Sequence, residues 1–276
     1  MSSGSKSFWR RTALLGAGLV WLLAQRRMRS LIYRMAPQDN WLVQKRIAHR
    51  GLHLQGIPEN SLAAFEQAIA EGYAIELDVQ YTADRVPVVF HDDSLLRLTG
   101  DDRLLRHCRY ADLRSLRLLG SDQHIPTLAQ VLHMVAGRTP LLIEIKNNDT
   151  PGSLEDAVIA QLRAYDGSYV VQSFNPYVVR YFAQYAPEMT RGQLLERPSW
   201  FTPDSDFARS ALVVRDNMFC WLGRPHFLNY QYTCLQDAGI NTLRRQGVPV
   251  LAWTLYRSDL DAEDYKRWAD NIVVDP

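Results

Sequence analysis

Cysteine is scarce in this chain: three residues, Cys108, Cys220 and Cys234, an odd number with no Cys-x-x-Cys spacing. That argues against a disulfide framework and a zinc site alike, and fits a reducing compartment. Charge of one sign is also lacking. The 276 residues carry 31 Lys and Arg against 30 Asp and Glu, a formal +1, so no global positive field advertises a nucleic-acid partner. No apolar run reaches the roughly 20 residues of a spanning helix, which excludes a many-span membrane protein. No low-complexity tract or linker divides the body, and no glycine-rich phosphate loop follows its first strand. With 47% hydrophobic and 22% charged residues, the chain has the composition of a large folded core.

The charge is unevenly placed. Residues 1–35 hold seven basic side chains and no acidic one, so 24 basic residues face 30 acidic in the remainder, a formal −6. A basic head on a mildly acidic body points to a membrane surface. Within it, Thr12–Ala24 is an uncharged, mostly apolar stretch of 13 residues with arginines on both sides. Basic residues directly after the run disfavour signal cleavage. Residues 1–39 therefore read as an uncleaved helical anchor, spanning or interfacial, with an export signal or an ordinary packed helix as alternatives. The flanking charges tilt slightly toward a cytoplasmic body.

From residue 40 onward, short β-rich runs alternate with helical patterns. Strands are expected at Arg46–His49, Ala74–Val79, Val86–Phe90, Leu141–Lys146, Tyr169–Ser173, Thr190–Leu195, His226–Gln231, Val248–Thr254 and Asn271–Val274. Several are continuous apolar runs, the mark of strands buried on both faces. A helix capped by Asn60 or Ser61 follows the first, and further helical patterns lie at Thr127–Ala136, Leu154–Ala164, Pro176–Tyr185, Cys234–Gln246 and Ser258–Ala269. Such alternation over residues 40–276 predicts an α/β fold, a (β/α)8 TIM-type barrel, with a doubly wound sheet as the alternative. A polar stretch rich in Arg, Leu and Asp, about residues 94–126, reads as an insertion after the third strand with a solvated arginine face.

Unusual polar residues gather at strand ends. The first strand ends in His49-Arg50-Gly51, the second carries Glu76 and Asp78, the third ends in His91-Asp92, and the fourth carries Glu144 and Lys146. Residues i and i+2 of a strand share a face, so Glu76 projects with Asp78 and Glu144 with Lys146. Three carboxylates inside an apolar barrel would cost several kcal/mol each without a partner. One divalent cation resolves that cost, and all-oxygen ligation selects Mg2+ or Ca2+ over zinc. If Asp84-Arg85 turns a hairpin between the second and third strands, Asp78 falls opposite His91. Arg85 is not expected to take positive φ, which costs a non-glycine residue roughly 1–2 kcal/mol. Two imidazoles, a guanidinium and a hard metal together suit phosphate ester cleavage: one imidazole takes a proton, the other gives one, and Arg50 and the metal stabilise phosphoryl charge. His53, His107, His124, His133 and His226 read as surface or packing residues.

In order and spacing, His49-Arg50-Gly51, Pro58-Glu59-Asn60-Ser61-Leu62-Ala63-Ala64-Phe65, Glu76-Leu77-Asp78-Val79 and His91-Asp92 resemble the glycerophosphodiester phosphodiesterase family. The likeness runs on through Ile125-Pro126-Thr127-Leu128, Ile143-Glu144-Ile145-Lys146, Ser173-Phe174, Trp253-Thr254 and Val273-Val274-Asp275-Pro276. It implies a phosphatidylinositol-phospholipase-like TIM barrel that hydrolyses glycerophosphodiesters to glycerol 3-phosphate and an alcohol through a cyclic phosphate. It implies a metal on Glu76, Asp78 and Glu144, an acid/base pair at His49 and His91, and phosphate contacts from Arg50 and Lys146. Glu59 would support Arg50, and Trp253 stands where the family has an aromatic near the substrate. A membrane-tethered member could instead take lysophospholipids as a lysophospholipase D. A non-catalytic, membrane-tethered binding protein is the alternative of another class.

Overall fold

The computed structural model describes residues 37–54, 56–197, 218–235, 243–245, 247–256 and 263–276. Among the described residues nine strands form one sheet: β1 (Ile47–Ala48), β2 (Ala74–Tyr81), β3 (Pro87–Val89), β4 (Leu141–Ile145), β5 (Tyr169–Ser173), β6 (Arg191–Leu195), β7 (Phe227–Gln231), β8 (Val250–Tyr256) and β9 (Asn271–Asp275). All but β3 run parallel, and the pairing of β1 with both β2 and β9 closes eight strands into the expected barrel. Antiparallel β3 adds to the barrel only through β2.

Side-chain alternation sorts the strands into two cores. Outward residues Ile75, Leu77, Val79, Ile143 and Val171 pack with Phe65, Val131, Val158 and Phe182 of the surrounding helices. Inward residues Ala74, Leu142, Val170, Phe227, Leu251 and Val273 plug the N-terminal end of the barrel together with Leu42. Gly192 makes room there: a Cβ on it would stand 2.2 Å from the Phe227 ring. Helix starts are set by local chemistry. Ser61 Oγ accepts from the Ala64 N–H at the head of Leu62–Ala70, and Thr127 with Gln130 forms a capping box at the head of Leu128–Val135. Asn175 caps Pro176–Tyr185, whose first residue is a proline suited to that position.

Three sequence expectations change here. The β2–β3 hairpin exists, but its register pairs Val79 with Val89, so the Phe90 N–H bonds to the Asp78 carbonyl and Asp78 lies opposite Phe90, not His91. The cause is the loop. Thr82 pairs with Val86 across Ala83, Asp84 and Arg85, and Arg85 takes φ 63°. A three-residue hairpin loop needs its last residue left-handed, and here arginine accepts that strain. The insertion, expected as polar surface, has its own apolar core of Leu95, Leu98, Leu105, Cys108, Leu113, Leu118 and Ile125 against Val88 and Phe90.

Among the described residues no helix is long and apolar enough to cross a membrane. The anchor expected in residues 1–39 falls almost wholly outside the described residues, as does most of the helical pattern expected at Cys234–Gln246. The pattern expected at Ser258–Ala269 is described from residue 263 on, where Glu263–Arg267 forms a 3-10 helix. Cys108, Cys220 and Cys234 are buried thiols outside any disulfide.

Candidate active site

Two residues beyond the apolar plug, the same inward faces turn acidic. Glu76 and Asp78 continue the face of Ala74, and Glu144 continues that of Leu142. The β2–β4 register sets Asp78 directly beside Glu144. One oxygen from each of the three carboxylates lies within 4.8 Å of the others, and all three residues are buried. Lys146 Nζ stands 3.1 Å from Glu144 Oε1 and 3.6 Å from Asp78 Oδ1. The Arg50 backbone N–H donates to Glu76 Oε2 at 3.1 Å, and its Nε lies 3.4 Å from Asp78 Oδ2. Asn60 grips Asp78 twice, donating from Nδ2 to Oδ2 at 2.8 Å and accepting the Asp78 backbone N–H.

The cluster is short of positive charge. Burial, then the charges of Asp78 and Glu144, push the Glu76 carboxyl well up. Burial and Asp78 likewise raise Glu144, to about 7, against the pull of Lys146. For Asp78 burial opposes ionisation, but Lys146, His91 and Arg50 outweigh it and hold the carboxyl low. Two of three converging carboxylates thus favour protonation beside two cations that are already engaged. A divalent oxygen-liganded ion fits this donor set.

Around the cluster stand the two histidines, each with a carboxylate on Nδ1. His49 Nδ1 is 3.2 Å from Asp275 Oδ1, and His91 Nδ1 is 2.7 Å from Asp92 Oδ1. Burial raises Asp275, yet the bonds from His49 and His53 win and hold it far below its ordinary range. Asp92 follows the same pattern and falls to about 2, through Arg97 and His91. Both aspartates are ionised acceptors, so each ring carries its proton at Nδ1 and leaves Nε2 for exchange. Burial lowers the His91 imidazole, partly offset by Asp78. Buried Gln80 fixes the turn carrying His91, its Nε2 donating to the carbonyls of Phe90, His91 and Asp92 at 2.8, 2.8 and 3.1 Å.

Glu59 does meet Arg50, accepting from Nη1 at 2.7 Å. The partner missed in sequence is Arg97, assigned to a solvated face. It donates to both oxygens of Glu59 and both of Asp92 at 2.6–2.9 Å, linking the Arg50 side of the site to the His91 side. No signal in an insertion rich in arginine singles it out. His53, read as surface or packing, instead meets Asp275 at 3.0 Å. Asp275 was foreseeable: barrel closure puts the end of β9 beside the end of β1. Asn60 was foreseen only as a possible helix cap. Trp253 packs edge-on against Phe174 at 5.5 Å, and its indole N–H is buried without a hydrogen-bond partner among the described residues.

A sequence model of the glycerophosphoryl diester phosphodiesterase family matches residues 49–276, the span that holds every one of these groups. The chain belongs to this family. It is accordingly an enzyme of the phosphoric diester hydrolase class. YhdW of Bacillus subtilis is 30% identical over 239 residues, covering 83% of this chain and 93% of the relative. A glycerophosphodiester phosphodiesterase of Caldanaerobacter subterraneus is 27% identical over 241 residues, with the same 83% and 93% coverage. Among solved structures, a phosphodiesterase of Oleispira antarctica in complex with the product sn-glycerol-3-phosphate aligns with a TM-score of 0.65 at 25% identity, over 83% of this chain and 92% of that one.

Proposed function

We propose that the chain hydrolyses glycerophosphodiesters to glycerol 3-phosphate and an alcohol at this barrel mouth, with Mg2+ or Ca2+ held by Glu76, Asp78 and Glu144. The observation that carries this reading is the charge balance. Three buried carboxylates exceed Arg50 and Lys146 by one negative charge; a dication leaves one positive charge, the complement of a phosphodiester monoanion. Once bound, the ion would stabilise negative charge on the phosphoryl oxygens.

The chain's own residues supply the rest. Arg50 and Lys146 bind and orient the phosphate, and the Glu59 carboxylate keeps the Arg50 guanidinium aimed inward. Neutral His91 accepts the proton of the glycerol hydroxyl as that oxygen attacks phosphorus. His49, held at Nδ1 by Asp275, donates a proton to the departing alcohol oxygen. The cyclic phosphate left behind is opened by water with the two roles exchanged. Trp253 packs against the substrate beside Phe174.

A second reading, lysophospholipid cleavage, draws on a groove of about 800 Å³ that includes Pro151, Phe174, Pro176, Tyr177 and Phe219. Its aromatic wall adjoins Trp253 and suits an acyl chain. Residues 1–35 would then hold the barrel at a membrane, on the cytoplasmic side. The test is choline release by the full chain from glycerophosphocholine and lysophosphatidylcholine in parallel. Preference for the soluble diester supports the main reading and preference for the lysolipid the second. Folded protein inert on these and other glycerophosphodiesters contradicts both.

A further inference from the structure

His53 has no part in the chemistry above, yet its ring closes on the same carboxylate oxygen that holds His49. Parallel pairing of β1 with β9 sets Ala48 beside Val274, so His49 and Asp275 emerge together at the rim. Asp275 Oδ1 is 3.2 Å from His49 Nδ1 and 3.0 Å from His53 Nε2. One donor atom from each residue lies within 4.8 Å of the other two, a second such group beside the Glu76, Asp78 and Glu144 cluster. The three side chains are 18%, 23% and 24% exposed, enough for an ion and its waters to reach them.

This donor set differs in kind from the carboxylates. Two imidazole nitrogens and one oxygen suit zinc and its neighbours, whereas Mg2+ and Ca2+ prefer oxygen alone. Donors on a tetrahedral zinc ion, with bonds of about 2.0–2.1 Å, stand roughly 3.3 Å apart. The two separations from Asp275 Oδ1, 3.2 and 3.0 Å, need widening by only a few tenths of an ångström, and the two nitrogens lie within 4.8 Å of each other. Two imidazoles sharing one acceptor oxygen are already gathered as ligands.

We propose that His49, His53 and Asp275 form a second cation site, for Zn2+ or a similar borderline divalent ion, and that filling it switches hydrolysis off. The switch, though not the site, rests on His49 being a proton-transfer group. An ion on Nδ1 displaces the proton now shared with Asp275 and leaves the neutral ring protonated at Nε2. That nitrogen then neither accepts a proton nor readily gives one up. The two sites thus sort cations by chemistry: a hard ion at the carboxylates supports turnover, and a borderline ion at the imidazoles stops it.

The test uses the full chain at saturating Mg2+ or Ca2+, whichever supports turnover. Zn2+ is titrated against a chromophoric chelator while glycerol 3-phosphate release is followed in the same samples. We expect one Zn2+ per chain, activity falling in step with occupancy, and no relief from more of the hard ion. His53→Gln, whose amide can still donate to Asp275, should fold with a near-wild-type melting temperature and weaken both zinc binding and inhibition, relative to its own zinc-free rate, at least about tenfold, and His53→Ala should do the same. Co2+ in place of Zn2+ should give the visible absorption of a four-coordinate centre, lost in either variant. Zinc binding indifferent to His53, or inhibition relieved by excess Mg2+ or Ca2+, overturns the site. Binding that depends on His53 with turnover unchanged overturns the switch and the role given to His49. Zinc binding is readable even if no diester is cleaved, so failure of the phosphodiesterase reading is distinguishable from failure of the site.

Discussion

Arg97 shows how a side chain remote in sequence can govern a site. Its guanidinium satisfies Glu59, which aims Arg50, and Asp92, which orients His91. Arg97→Gln leaves both carboxylates short of charge, and groups that orient others are typically worth about 10–100-fold. We expect kcat for glycerophosphocholine to fall by about that factor, with a shifted pH profile; an unchanged kcat would return Arg97 to the surface. His49→Ala and His91→Ala should each cost at least about 10²-fold, the usual contribution of a general acid or base, with melting temperatures near wild type. Gly51 serves through its lack of a side chain. At φ 81° its Cβ would meet the Ala64 backbone at 2.8 Å. Gly51→Ala adds left-handed strain to a backbone clash and should lower stability by roughly 2–4 kcal/mol in urea unfolding.

At the scale of elements, buried His226 joins β6 to β7 and gives the molecule an acid limit. Its Nδ1 accepts the Arg191 N–H at 3.2 Å, and burial, with the Arg191 charge, lowers its pKa to about 4. A folded-state value below the unfolded one means stability fully present above the unfolded pKa of about 6.5 and lost as pH falls toward 4. The loss is on the order of 3 kcal/mol. Melting curves between pH 7 and 4 should show it, and His226→Gln should flatten them; an unchanged slope would assign the acid limit elsewhere. The strands were legible because continuous apolar runs and polar strand ends are local signals. Tyr169–Ser173 and Pro176–Tyr185 occupy the residues expected of them. The hairpin register was not legible, because it hung on whether Arg85 would accept a positive φ. Glu76, Asp78 and Glu144 could be grouped because strand spacing and barrel closure dictate their meeting. Arg97 and His53 reach the rim through irregular loops, whose path no spacing fixes.

For the whole molecule, the charge deficit at the mouth couples metal binding to folding. Without a cation, raised Glu76 and Glu144 pKa values are a penalty absent below the carboxylates' ordinary range and growing as pH rises through the folded value, about 7 for Glu144. A bound dication removes that penalty, so Mg2+ or Ca2+ should raise the melting temperature more at pH 8 than at pH 5. Glu144→Gln should shrink the difference. The measurement that bears most directly on the central claim is release of glycerol 3-phosphate from glycerophosphocholine after EDTA treatment, before and after Mg2+ or Ca2+ is restored. The account predicts no turnover in EDTA, recovery with one of the two ions, and no recovery in Glu144→Gln. Turnover that persists in EDTA, or recovers fully without the Glu144 carboxylate, would contradict it.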